Sequence, residues 1–183
     1  MAIKTFVASE VLTAADTNTY LANSGLVFVK QQTVGTGVGS VTVTGAFNST
    51  YENYEIIYTG GAQSTTQSLN LKLGASNGNY FNVLIYASWA GGGVSTVGNQ
   101  NANDWVFMGY GNTSTSWLKV SLFQPFLAKN TFLSSPHAQF SPNVGGYNAG
   151  FLNDTTSHTE LTITPAAGTM TGGTISIYGY RKG

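Results

Sequence analysis

The chain is predicted to be all-β, an antiparallel β-sandwich of jelly-roll-like form preceded by a short N-terminal helix. Two observations carry most of this. Short apolar-rich runs recur along the 183 residues, several with strict alternation, and clusters of Gly, Asn, Ser and Thr separate them at close, fairly even spacing. The third is that one segment alone, near the start, carries a helix-start pattern.

That segment is Thr13-Ala14-Ala15-Asp16. Thr13 can cap backbone N–H groups, and Asp16 in the first turn complements the helix dipole. A helix from Thr13 to Asn23 would place Val11, Leu12, Ala15 and Leu21 on one apolar face and stop at Gly25, a residue suited to a left-handed terminus. Two to three turns are too short to be stable alone, so this helix must dock onto its own domain or a neighbour.

From Leu26 onward, strands are predicted at 26–32, 40–46, 53–59, 68–74, 80–89, 104–110, 117–124, 137–141, 159–164 and 173–181. In Leu69-Asn70-Leu71-Lys72-Leu73 three leucines point one way and the polar residues the other, the pattern of a half-buried strand. Leu161-Thr162-Ile163-Thr164, Ile175-Ser176-Ile177-Tyr178 and Trp117 to Phe123 repeat it. Thr59-Gly60-Gly61, Ser76-Asn77-Gly78-Asn79, Gly91-Gly92-Gly93, Asn112-Thr113-Ser114 and Gly172-Gly173 read as the turns between them. Two parts follow: residues 1–25 as an attachment segment and 26–183 as the sandwich, with Thr33 to Ser40 a Gly-rich linker or long loop. Strand order does not follow from the pattern.

Composition narrows the function. Charged residues make up 8 % of the chain, against roughly 25 % in ordinary globular proteins. Formal net charge is +0 and no basic stripe occurs, so nucleic acid is not an expected partner. A surface this poor in charge offers little protection from self-association, which suits a protein that lives in an assembly. The absence of cysteine excludes disulfides and thiolate metal sites. Met1-Ala2-Ile3-Lys4 opens no secretory signal, and no run approaches the ~18 apolar residues of a membrane span. The expectation is a protein made in a cytoplasm, without membrane insertion.

Chemistry is sparse. The carboxylates are Glu10, Asp16, Glu52, Glu55, Asp104, Asp154 and Glu160; Glu52 and Glu55, three apart, fall on opposite faces of a strand and cannot pair as a glycosidase needs. His158 stands near Asp154 and Glu160, a spacing loosely compatible with a divalent metal, but 153–157 reads better as a polar loop. His137 follows Pro136 and reads as a packed or surface residue. No serine sits in a G-x-S-x-G elbow, and Gly35-Thr36-Gly37-Val38-Gly39 lacks the Lys-Ser/Thr of a phosphate loop. No catalytic residue, metal site or cofactor is therefore expected. Aromatic residues make up 13 % of the chain. The Phe residues are expected in the core, whereas Tyr51, Tyr54, Tyr110, Tyr147, Trp89 and Trp105 are candidates for an interface or for stacking on a glycan.

Residues Phe6-Val7-Ala8-Ser9-Glu10-Val11-Leu12-Thr13-Ala14-Ala15-Asp16-Thr17-Asn18-Thr19-Tyr20-Leu21 resemble the F-x-x-G-E-x-L-T-A-x-D-x-N-x-Y-L opening of structural proteins of tailed phages, tail fibres and related virion appendages among them; Ser9 stands where the pattern has Gly. Phe47 to Tyr54 is similar to an F-x-x-x-Y-x-N-Y strand entry of the same group, and the Gly-rich ending 172–180 is similar to theirs. The resemblance covers both ends and one early hairpin. It implies a β-rich, non-enzymatic, homotrimeric component of the virion. Docking to other virion proteins would run through Val11, Leu12, Ala15, Asp16, Asn18, Tyr20 and Leu21. A tail fibre or tail-associated appendage leads, a head decoration or cement protein follows, and a module binding host-surface glycans is a further alternative.

Overall fold

The computed structural model describes residues 7–17 and 25–181. Among these, one helical turn, α1 (Ala14–Asp16), precedes thirteen strands. In order they are β1 (Leu26–Thr33), β2 (Val41–Val43), β3 (Tyr51–Gln63), β4 (Gln67–Leu73), β5 (Tyr80–Ser88), β6 (Ser95–Ala102) and β7 (Trp105–Gly111). There follow β8 (Ser116–Phe123), β9 (Thr131–Phe140), β10 (Asn143–Leu152), β11 (Leu161–Pro165), β12 (Met170–Thr171) and β13 (Thr174–Arg181). Every strand pairing is antiparallel, so the all-β, sandwich-like expectation holds.

The sheet forks at β8. One edge of β8 pairs with β3, which continues through β13 to β1. Along the other edge, Ser116–Leu118 pairs with β7 and Ser121–Phe123 with β9. From β7 the chain of pairings runs to β4, β11 and β2; from β9 it runs to β10, β5 and β6. The leucines of the predicted alternation, Leu69, Leu71 and Leu73, pack with Leu161 and Ile163 against Ile56, Val120 and Ile177 of the facing layer, in one continuous buried cluster. Burying side chains of this size is worth about 1.5–3 kcal/mol each, which makes this cluster the main source of cohesion.

Each of the ten predicted ranges meets a strand, but three strands went unread: β6, β10 and β12. Strand β9 also begins six residues earlier than expected, at Thr131. The Gly-rich stretch 33–40 is a fastened loop, since Val34 is buried with its N–H on Gly173 O at 3.0 Å, and Val38 and Met170 exchange backbone bonds of 2.9 and 2.8 Å. The expectation that the Phe residues fill the core is corrected. Phe47 is buried, but Phe28, Phe123, Phe132 and Phe140 are exposed: Phe132 and Phe140 lie on the outward face of the β9–β10–β5 layer with Phe123 of β8 beside them, and Phe28 lies on β1, edge-on to Tyr178.

The inner face of that layer carries a polar rung. Strand β7 slips register against β4, with Leu69 opposite Gly109 but Leu71 opposite Trp105, so residues 106–108 leave the ladder. Phe107 adopts a left-handed backbone (φ 62°) at the slip. The freed carbonyls are taken by side chains: Asn148 Nδ2 donates to Val106 O (2.9 Å), and Asn82 Nδ2 to the same oxygen (3.1 Å). Ser135 Oγ donates to Met108 O (2.8 Å), and His137 Nδ1 lies 3.2 Å from Phe107 O. Buried backbone groups need such partners, which is why four polar residues sit inside an otherwise apolar layer.

Candidate functional site

The N-terminal segment is shaped by its own side chains. Glu10 N–H donates to Val7 O (3.1 Å), closing a turn whose third residue, Ser9, has φ 71°. A type II turn requires a positive φ at that position, which glycine adopts without strain. This is where the resembled pattern carries Gly. The Glu10 carboxylate also accepts from Val7 N–H (3.2 Å). Thr13 caps α1 by accepting from Asp16 N–H (3.1 Å), while Asp16 accepts from the Thr13 N–H (3.1 Å) and hydroxyl (2.6 Å), a complete capping box. Three residues that carry the resemblance, Glu10, Thr13 and Asp16, are thus among those that bend and cap the segment.

Its apolar residues do not join the core. Val11 is 78 % exposed and Leu12 48 %; Ala15 is exposed too, and Asp16 is half-buried. The helix observed within the described residues is one turn rather than the Thr13–Asn23 expectation, whose remainder lies outside them. Of the docking residues named from sequence, Asn18, Tyr20 and Leu21 also lie outside the described residues.

The structure divides the aromatic candidates. Three are corrected, because they are core. Trp105 is fully buried, edge-on to Tyr80 at 4.9 Å, with its Nε1–H on Phe151 O (3.2 Å). Tyr54 is fully buried, its hydroxyl accepting from Asn48 N–H and donating to Asn48 O, both at 2.9 Å. Tyr110 is buried with its hydroxyl on Ser141 O (3.0 Å). Such satisfied rings offer no surface to a partner. Tyr51 is half-buried across Gly179, where any Cβ would meet the ring at 2.3 Å. Trp89 and Tyr147 are the two large candidates that stay exposed, and the Trp89 indole lies over Gly145.

The titratable groups are dispersed. Glu55 is buried beneath a 3.2 Å ion pair with Lys119 and accepts from Ser121 Oγ (2.8 Å), while Glu52 turns to Gln124. Asp104 accepts from Asn70 Nδ2 (3.1 Å); burial raises its carboxyl above the ordinary value, and the Asn70 bond partly offsets this. Burial pushes the Tyr80 hydroxyl up to about 12. Asp154 accepts from Ser76 Oγ, from Thr156 N–H (2.8 Å) and from Thr156 Oγ1 (2.6 Å), which holds its carboxyl below the ordinary value. Ser76 gives its proton to the carboxylate rather than to an imidazole, so Ser76, Asp154 and His158 do not stand in relay order. Among the described residues no group of three or more His, Cys, Asp or Glu is placed to hold a metal ion, and no helix is long and apolar enough to cross a membrane.

The chain matches no family model, no curated protein and no solved structure. Its geometry therefore carries the functional argument, and that geometry offers two surfaces. One is the capped segment with Val7, Val11 and Leu12 exposed. The other was missed from sequence: the outer face of β9, β10 and β5. Here Phe132, Phe151 and Phe81 are cross-strand neighbours, the last two stacked at 4.8 Å with 6° between their planes. The signal lay in Tyr147-Asn148-Ala149-Gly150-Phe151, an alternation that its glycines disguise as loop.

Proposed function

We propose that the chain is a non-enzymatic structural component of a tailed-phage virion, a tail fibre or tail-associated appendage. In this reading it assembles as a homotrimer and joins other virion proteins through residues 1–25. The observation that carries it is the preshaped segment 7–17: a turn at Ser9 and a capping box at Thr13, at the positions that carry the resemblance, presenting exposed Val11 and Leu12. An arm already bent and capped loses less entropy on docking than a flexible one, so its apolar residues bind more tightly for their area.

Deleting residues 1–24 tests this. Segment 7–17 buries little surface, so the truncated protein is expected to melt with the full chain yet fail to join the particle. Incorporation of the truncated protein into virions would overturn the reading. Immunogold labelling of the full chain is expected on the tail; label on the capsid would replace the tail assignment with a head decoration protein.

A further inference from the structure

We infer that the outer face of β9–β10–β5 is an interface with a second copy of this chain. The exposed apolar side chains on it are Val83, Ile85, Trp89, Phe132, Phe140 and Tyr147, joined by Phe123 of β8 at its margin. Each shows about half its surface, which with aromatic side chains of roughly 200 Å² sums to the order of 600 Å². The largest apolar patch on a typical monomer is about 300–600 Å², and a stable interface takes about 800 Å² from each partner. The half-buried Phe81, Phe151 and Pro136 between these residues bring the patch near that figure.

Shape and charge together select the occupant. Over β5, between β6 and β10, lies an open groove of about 690 Å³ lined by Phe81, Val83, Gly98, Gln100, Ala149 and Phe151. Beside it, on the same face, Phe132 and Phe123 stand out as a ridge of directly paired residues on β9 and β8. One surface thus carries both a knob and a hole, so the ridge of one copy can fill the groove of another, reciprocally in a pair or in turn around a ring. None of the residues of the patch and the groove is charged. The Glu55–Lys119 ion pair lies on this face at its margin, on β3 and β8, with its two charges compensating each other. A strongly charged partner finds little here to read, whereas two copies meet without net like-charge repulsion. Exposed polar residues of β6, Thr96 opposite Ile85 and Gln100 lining the groove, form a rim on one side, the usual anatomy of an apolar interface core.

The inference does not rest on the virion reading. Sedimentation equilibrium of the full chain between about 1 and 100 µM is expected to show an oligomer, either dimer or trimer. Phe132→Asp and Val83→Asp are expected to weaken association at least about thirtyfold, the scale of a 2 kcal/mol hot spot, while Thr42→Asp on the opposite layer leaves it unchanged. Both positions are exposed, and the melting temperature of each variant reports that it has folded. A wild-type chain monomeric at 100 µM, or both Asp variants associating like wild type, overturns the inference. So does a monomer that binds a glycan array through Trp89 and Tyr147. Asp variants that associate like wild type while virion incorporation is intact sink this interface alone, and association through this face without incorporation sinks only the virion reading.

Discussion

The side-chain amide of Asn148 lies 2.9 Å from the carbonyl of Val106, where it replaces a backbone partner that β7 gave up at its register slip. Asn148 is fully buried, and Asn82 completes the set by donating to Asn148 Oδ1 at 3.2 Å. Asn148→Leu keeps the volume and removes the donors, leaving Val106 O one bond short and the Asn82 amide partly unpaired. A buried group left so costs about 1–3 kcal/mol. The urea midpoint of the variant is expected to fall by the corresponding amount with an unchanged slope; a midpoint equal to wild type would show that the rung is dispensable.

This rung also marks where the sequence stops being legible. Strands β4, β8, β11 and β13 could be read because one face of each is apolar and the other polar, so burial writes a period of two into the sequence. Strand β10 has polar Asn148 facing in and Tyr147, Ala149 and Phe151 facing out, with Gly145, Gly146 and Gly150 between. The pattern is inverted and diluted, and the glycines sit where a neighbour leaves no room: a Cβ would lie 2.1 Å from Ile85 O at Gly146, 2.5 Å from Phe81 O at Gly150 and 2.5 Å from the Trp89 indole nitrogen at Gly145. Strand β6 is an edge with no buried residue, so burial leaves no mark on it. Pro136 hid the first half of β9, yet it lies beyond Ser134, the last residue there to pair with β8. Likewise Thr13 and Asp16 announced their capping box, but which tyrosines and tryptophans are core depended on strand order, which local pattern does not contain.

Ser9 carries a cost that glycine would not. A non-glycine residue in the left-handed region is disfavoured by roughly 1–2 kcal/mol. Ser9→Gly is expected to populate the Val7–Glu10 turn more fully, slowing amide exchange at Glu10 severalfold, while Ser9→Val speeds it. The melting temperature of the β body should not move with either, since the segment buries little against it. An unchanged Glu10 exchange rate in both variants would show that the turn does not depend on this position.

Acid should weaken the protein in two stages. His158 is buried with no hydrogen-bond partner for Nε2, and burial lowers its imidazole below the ordinary 6.5, against a smaller opposing pull from Asp154. In the unfolded chain this histidine takes up its proton near 6.5, so below that pH the unfolded state binds more protons and stability falls until the depressed folded value is passed. Asp154, held below 3.8, contributes stability that is intact above that value and lost as the pH falls through its lowered one. Asp104 is raised and works oppositely, favouring the folded state as it protonates. The urea midpoint is expected to be lower at pH 5.5 than at 7.5, and His158→Gln should flatten that slope. A slope identical in the variant would assign the pH dependence elsewhere.

Gly61 and Tyr58 test how tightly the bend in β3 is packed. Pairing with β8 slips between these two residues, and the Tyr58 hydroxyl reaches across to donate to Gly172 O at 3.0 Å. A Cβ at Gly61 would sit 1.9 Å from that hydroxyl and 2.5 Å from Gly172 O, and Tyr58 is fully buried with no space to retreat. Gly61→Ala is therefore expected to cost about 1–3 kcal/mol, the scale of overpacking in a closed core. The two obstacles separate in a double-mutant cycle. In a Tyr58→Phe background the hydroxyl is gone but the Gly172 carbonyl remains, so the same alanine should cost less without becoming neutral. Additive losses would mean that the hydroxyl is not what excludes the methyl group, and that the ring carbon of residue 58 and the carbonyl of 172 set the bend.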